Sequence, residues 1–220
     1  KKILITGHTG FKGSWLALWL SELGADITGI SLAPDTTPSL FNALNLQAKM
    51  TSYIEDIRNY NAVKEIFTKT APDIVLHLAA QPLVRHSYDF PIETLETNII
   101  GTANLLNILR DTPSVKAFIN VTSDKCYLNN GDGVPFTESD HLGGSDIYSA
   151  SKACSEILTD SFRSSFFSNG SNASTKIASV RAGNVIGGGD WSKDRLIPDF
   201  IRSIQSDTVI ELRYPNAVRP

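Results

Sequence analysis

Residues 2–24 read KILITGHTGFKGSWLALWLSELG, and this stretch decides the fold. Its opening KILIT is an apolar run of strand length. Residues 11–24 then follow a helical period, with Gly24 closing the helix just past its last turn. Between the two lie Gly7, Gly10 and Gly13, at three-residue spacing. Glycine lets the chain turn sharply there. It also lets an anion reach bare N–H groups at a helix start, where the helix dipole favours negative charge. Such a turn is common by itself. Its position after the first strand and before the first helix meets the context required of a dinucleotide pyrophosphate site, with Phe11 and Lys12 in the same loop.

The alternation continues along the chain. DITGISL, SYIEDI, DIVLHLAA, KAFINVTS and KIASVRAGNV read as five further strands, and NAVKEIFTKT, ETLETNIIGTANLLNILR and YSASKACSEILTDSFR as helices. Near-continuous Val/Ile/Leu strands alternating with helices imply parallel strands buried on both faces, a doubly wound α/β sheet. FSNGSNASTK is a polar loop. After about Gly187 the pattern loosens, and no compact second domain fits in the remainder. Residues 1–186 are therefore expected to form the dinucleotide-binding domain. Residues 187–220 are expected to form an incomplete substrate-binding portion, the start of a smaller, truncated C-terminal domain.

Hydrophobic residues make up 41% of the 220 and charged residues 20%, ordinary for a soluble globular chain. A net charge of −3 and a pI near 5.8 leave no electrostatic footprint for nucleic acid or an acidic membrane. No apolar run approaches the roughly 20 residues of a membrane span. WLALWL is short and sits inside an amphipathic pattern. No signal peptide is visible ahead of KKILITG, and Cys126 and Cys154 lack metal-ligand spacing. A cytoplasmic protein with reduced thiols and no metal is expected.

The acid that usually meets an adenosine ribose, about 20 residues beyond the glycines, is missing. Ser31 occupies that region and Asp35 lies deeper in the loop. No Arg stands there for a 2′-phosphate either, so NAD is expected over NADP. Asp56 and Ile57, ending the third strand, are suitably placed for the adenine, although Asp56 also reads as a solvated loop acid. YSASK puts Tyr148 and Lys152 at i and i+4 on one helical face. A tyrosine is a poor base at pH 7, and a nearby ammonium is expected to lower its pKa. Lys152 can also hold the nicotinamide ribose. Ser123, at the end of the fifth strand, would hydrogen-bond the reacting oxygen. Alone, a Tyr/Lys pair is more often a surface pair; with Ser123 and the glycine loop it reads as a hydride-transfer set.

TGHTGFKG, LHLAAQ, TNIIGT, VTSDKCY and YSASK together resemble the extended short-chain dehydrogenase/reductase family. That resemblance implies a Rossmann domain followed by a smaller nucleotide-sugar domain. It also implies that Leu78, Ala79, Ala80, Gln81 and Thr122 line the cofactor, that Asn98 supports the fourth-strand site, and that the protein forms a homodimer or higher homo-oligomer. The helix around NLLNILR has apolar surface to spare for such packing.

Asp124 and Lys125 directly follow Ser123 and exceed what hydride transfer needs. An added acid/base pair suits loss of water from a hexose: once C4 is a ketone, the C5 hydrogen is acidic, and a second group can protonate the departing C6 hydroxyl. Asp124 suits the acid if burial raises its pKa. Lys125 stands where related 4,6-dehydratases commonly carry Glu; it can be a base if its pKa is depressed, or can stabilise an enolate as a charge. TSDKCY, AAQPLVRHSY and RAGNVIGGGDW narrow the resemblance to 4,6-dehydratases acting on CDP-glucose. A 4-epimerase, or a dehydratase for another nucleotide sugar, is the alternative; a non-enzymatic dinucleotide sensor is a third.

Arg85, Asn184 and Arg195 are candidates around sugar and diphosphate, because Arg offers paired donors to phosphate oxygens. Arg219 is a further candidate for the nucleotide. Arg195 also reads as a helix-start cation beside Asp194, and Asn184 as a turn residue. Trp191 either stacks on a base or covers the loop. His77, inside an apolar strand, reads as a satisfied core histidine; His86 and His141 show no partners.

Overall fold

A computed structural model describes residues 1–169, 174–210, 212, 215 and 216. In chain order these form β1 (Lys2–Thr6), α1 (Phe11–Glu22), β2 (Asp26–Ser31), α2 (Leu40–Ala43), β3 (Thr51–Ile54), α3 (Tyr60–Thr70) and β4 (Ile74–His77). There follow α4 (Val84–Asp89), α5 (Pro91–Leu95), α6 (Gly101–Leu109), β5 (Ala117–Val121), α7 (Ile147–Phe162), β6 (Lys176–Val180) and α8 (Leu196–Gln205). A widened, π-helical turn, Glu96–Ile100, joins α5 to α6. All six strands lie where the apolar runs put them.

The sheet is parallel throughout, in the order β3-β2-β1-β4-β5-β6. Strand order reverses between β1 and β4, where Thr6 pairs with His77, and a doubly wound Rossmann sheet opens its ligand crevice at that switch point. Alternation along β1 feeds two cores. Leu4 packs with Ile30, Val63, Phe67, Val75, Leu105 and Phe118 on one side; Ile3 and Ile5 pack with Ala17, Ile27, Phe41 and Leu46 on the other.

Two expectations are corrected. The first helix is not amphipathic: it buries Gly13, Ser14 and Ala17, and leaves Trp15 and Trp19 44% and 65% exposed. Its inner face runs so close to the glycine loop that only small residues fit. A Cβ on Gly13 would stand 2.0 Å from the Gly7 carbonyl oxygen. Second, α6 has no spare apolar surface, because Leu105, Leu106, Ile108 and Leu109 are all buried within the chain. The loosened stretch after Gly187 contains α8, which starts directly after Arg195 as the helix-start reading of that residue has it. Pro198 lies in its first turn, where a missing N–H is tolerated. No residue of α8 is buried, while the loop before it returns over α1, where the Trp15 indole donates to the Gly188 carbonyl at 2.9 Å.

Candidate active site

Gly7 turns the chain out of β1 at φ +78°, and its N–H donates to the Ile30 carbonyl at 2.8 Å. A Cβ there would lie 2.7 Å from the Ala79 nitrogen. The segment after β4 thus lies directly against the glycine loop. It is held there by Thr6, whose hydroxyl oxygen accepts from Leu78 and Ala79 N–H at 3.2 and 3.1 Å. Thr9 ties the loop to the end of β2, through Ser31 at 2.7 Å and the Leu32 carbonyl at 2.8 Å. Gly10 stands at the N-terminus of α1, which no side chain caps. A Cβ on Gly10 would meet only the Gly7 carbonyl oxygen, at 3.4 Å. A cradle without side chains, with uncapped helix N–H groups above it, fits a dinucleotide pyrophosphate.

Two buried histidines brace this turn from below. His8 bonds the Ser52 hydroxyl at 2.7 Å and packs edge-on against Phe41. Burial lowers its pKa to about 4, against an opposing backbone hydrogen bond at Ile30. His77 is the satisfied core histidine expected, bonded to Thr6 at 2.7 Å and Thr102 at 2.9 Å. Burial first, and then the Lys152 charge, lower it to about 3.

Around the rest of the crevice the expected cofactor residues divide by what their side chains do. Leu78, Ala79 and Ala80 are half-buried at the end of β4. Gln81 is buried, and its amide is committed to Leu83 and to the Thr94 hydroxyl, so its side chain holds the loop. Asn98, inside the widened turn, accepts from the Gln81 N–H at 2.9 Å. It returns donors to the Gln81 carbonyl at 3.1 Å and the Ser151 hydroxyl at 2.9 Å. Asp56 is paired with Arg58 at 2.6 Å; burial pushes its carboxyl up, but the Arg58 hydrogen bonds outweigh this and the net shift is down. Ile57 is a core residue against Gly101, whose Cβ would lie 2.5 Å from it.

Ser123, Asp124, Tyr148 and Lys152 come together where β5 meets the start of α7. Asp146 caps this helix, accepting from the Ser149 N–H at 2.9 Å. Ser123 donates to Asp124 Oδ1 at 2.9 Å, and Lys125 Nζ stands 3.8 Å from the same oxygen. Tyr148 and Lys152 are both buried. The tyrosine's pKa corrects the expectation: it is raised rather than lowered. Burial of the phenol is the largest influence, with Ser123 pulling down, Asp124 pushing up and Arg195 opposing it. Lys152 falls to about 8, through burial and then the charge of Lys12. Lys12 is itself held below its ordinary value, by desolvation first and by Arg195 second. Cations from the glycine loop, α7 and the stretch before α8 therefore converge on one place.

Of the substrate candidates, Arg85 and Arg195 reach the same loop, pairing with Asp194 at 3.0 Å and Asp190 at 2.8 Å. Arg195 thus finds its carboxylate five residues back rather than beside it. Asn184 is exposed at the exit of β6. Arg219 lies outside the described residues. The Trp191 carbonyl accepts from Arg202 at 3.0 Å. His86 does have partners, Glu93 at 3.6 Å and the stacked ring of Phe90.

Thr122, expected at the cofactor, is buried, and its hydroxyl donates to Glu156 Oε1 at 2.5 Å. Glu156 and its partner Arg181 were not singled out from the sequence. The available signal was spacing, because Tyr148, Lys152 and Glu156 repeat every four residues along α7.

The family model described as GDP-mannose 4,6 dehydratase matches residues 4–216. CDP-glucose 4,6-dehydratase of Salmonella typhimurium is 49% identical over 222 residues, covering 100% of this chain and 62% of the relative. The chain therefore spans less than two thirds of that relative's length. Among solved structures, UDP-glucose 4-epimerase of Thermotoga maritima with UDP-glucose superposes with a TM-score of 0.82 at 25% identity, covering 94% of this chain and 64% of that one. A dTDP-glucose 4,6-dehydratase of Streptomyces venezuelae, with NAD bound, gives 0.81 at 22% identity over 94% and 63%, a likeness of fold. A family match through almost the whole chain, on a sheet and glycine turn that fit it, makes the protein a member of the GDP-mannose 4,6 dehydratase family of extended short-chain dehydrogenases/reductases.

Proposed function

We propose that the protein carries out NAD-dependent 4,6-dehydration of a nucleotide sugar, converting CDP-glucose to CDP-4-keto-6-deoxyglucose in deoxysugar synthesis. The observation that carries this is Asp124, in contact with Ser123 and Lys125 beside the buried Tyr148. The naming of the Salmonella relative, at 49% identity, supports the substrate. In this reading residues 1–186 hold the cofactor and residues 187–220 contribute to the substrate side.

Gly7, Gly10 and Gly13, with Phe11 and Lys12, would hold the pyrophosphate, and Lys152 the nicotinamide ribose. The chemistry a bound NAD supplies is removal of hydride from C4 of the sugar and its return to C6. Tyr148 takes the proton of the 4-hydroxyl while Ser123 holds that oxygen. Lys125 accepts the C5 proton, or steadies the enolate left behind. Asp124 protonates the C6 hydroxyl so that it leaves as water. A proton returns to C5 as the cycle closes. Arg85, Asn184 and Arg195 would orient the diphosphate, with both arginines exchanging an aspartate for phosphate oxygens.

A homo-oligomer would cover Ile92, Ile100 and Ile157, which are exposed on neighbouring helices. Free thiols at Cys126 and Cys154 suit a reducing compartment such as the cytoplasm.

The test incubates the protein, without added NAD, with CDP-, dTDP-, UDP- and GDP-hexoses and reads nucleotide-sugar masses. Loss of one water from CDP-glucose alone is expected. Asp124→Asn should stall after oxidation, visible as reduced-nicotinamide absorbance. A product of unchanged mass, with glucose converted to galactose, refutes dehydration and identifies an epimerase.

A further inference from the structure

Glu156 lies one turn beyond Lys152 and two beyond Tyr148 on the same face of α7, and is 5% exposed. Arg181, the residue after β6, meets it with two prongs, Nε to Oε1 at 2.8 Å and Nη2 to Oε2 at 2.7 Å. The same Oε1 accepts from the Thr122 hydroxyl at 2.5 Å and the Cys126 thiol at 3.5 Å. Thr122 and Cys126 bracket Ser123, Asp124 and Lys125. From the other side, the Arg181 guanidinium covers the Tyr127 ring at 4.6 Å and donates to the Glu138 carbonyl at 3.2 Å. Tyr127 in turn stacks flat on Phe136 at 4.6 Å. One ion pair therefore gathers α7, the exit of β5, the exit of β6 and the loop around Glu138.

We propose that Glu156 and Arg181 are positioning residues, which fix the path of residues 122–127 and so aim Ser123, Asp124 and Lys125 at the sugar beside Tyr148. This rests on the 4,6-dehydration proposed above. Stability alone is a poor reason for such a pair, because apolar residues of similar volume often serve as well or better. Apolar residues cannot, however, accept from Thr122 and Cys126 while donating to the Glu138 carbonyl. Arg181 also supplies a planar fork that Lys cannot reproduce.

The test compares wild type with Arg181→Met, Arg181→Lys, Glu156→Gln and the double variant Glu156→Gln/Arg181→Met. Turnover of the nucleotide sugar, NADH affinity by nicotinamide fluorescence, and alkylation of Cys126 by peptide mass are read together. Arg181→Met should lower kcat about a hundredfold, as expected of a displacement near 1 Å. KM and NADH affinity should stay within about threefold, because the glycine cradle is untouched. Arg181→Lys should recover part of kcat.

The groups facing Glu156 are Lys152 on α7, Cys126 on the loop and Arg181 after β6. Without Arg181 the buried carboxyl titrates at higher pH, so the activity of Arg181→Met should fall as pH rises through neutrality. The double variant, which keeps Lys152 but no titrating carboxyl, should lose that fall and exceed Arg181→Met at pH 8.

Unchanged kcat and pH profile in Arg181→Met, with Cys126 newly alkylated, overturns the proposal and leaves the pair a structural tie. If Arg181→Met does not fold, Glu156→Gln decides, because its NH2 group sets a donor against the donors of Arg181 and breaks the two-pronged pair, so kcat should fall. A kcat equal to wild type then overturns the proposal. A wild type that leaves every nucleotide sugar unaltered sinks the functional reading, and this one with it, before any variant is compared.

Discussion

Asn98→Ala is the sharpest test of how the crevice is held open. Asn98 is 2% exposed and its side chain makes three hydrogen bonds, two with the Gln81 backbone and one with the Ser151 hydroxyl. Ser151 itself donates to the Tyr148 carbonyl at 2.7 Å, so one amide joins the segment after β4 to α7. At about 1 kcal/mol net for each bond, plus about 1 kcal/mol for stranding the Gln81 N–H, the substitution should destabilise the fold by about 4 kcal/mol. With a urea dependence of about 2 kcal/mol per molar, the unfolding midpoint should drop by about 2 M. Asn98→Asp should fare little better, because it keeps the acceptor for the Gln81 N–H but turns an oxygen toward the Gln81 carbonyl. The assay is urea unfolding followed by circular dichroism, with NADH titration alongside. A midpoint within about 0.5 M of wild type, at unchanged slope, refutes the accounting.

Gly13→Ala places a methyl 2.0 Å from the Gly7 carbonyl oxygen, so α1 must shift and the cradle deform. NADH affinity should fall at least about tenfold, a loss of about 1.4 kcal/mol, in a protein that still folds; fluorescence titration reads this, and unchanged affinity contradicts it. Acid should also weaken the fold through His8 and His77, held at about 4 and about 3. Both ionise near 6.5 when unfolded, so below that pH the unfolded chain binds more protons. Stability is then complete above pH 6.5 and declines as pH falls toward 4, by up to about 1.4 kcal/mol per pH unit for each histidine. Urea midpoints at pH 7, 6 and 5 test this, and His77→Gln should flatten the slope; a midpoint level from pH 7 to 5 rules the effect out.

The sheet was legible because short stretches rich in Ile, Leu and Val alternate with helix-period segments, and the glycine turn because its spacing and position repeat a backbone need. Ser123, Tyr148 and Lys152 were singled out by the same local logic, and the fold brings them together. What escaped has no local signature. The Glu156–Arg181 pair joins residues 25 apart across two elements. The side chains of Gln81 and Thr122 stand just past strand ends, where alternation no longer says which way they turn. Tyr148 was misjudged because charge was counted and burial was not. Arg195 itself was seen beside Asp194, but its partner is Asp190, brought round by a loop whose path no spacing records.

The widened turn at Glu96–Ile100 also sets a phase. On the α5 side, Thr94 must face Gln81, whose amide it accepts at 2.9 Å; on the α6 side, Thr102 must face His77, at 2.9 Å. An α-helix advances about 100° per residue, so removing one residue between them would swing α6 by that angle and release one grip or the other. Exposed side chains such as Ile92 and Ile100 take no part in either grip, whereas the residue count between Thr94 and Thr102 fixes both. Here length, more than composition, is the constrained quantity.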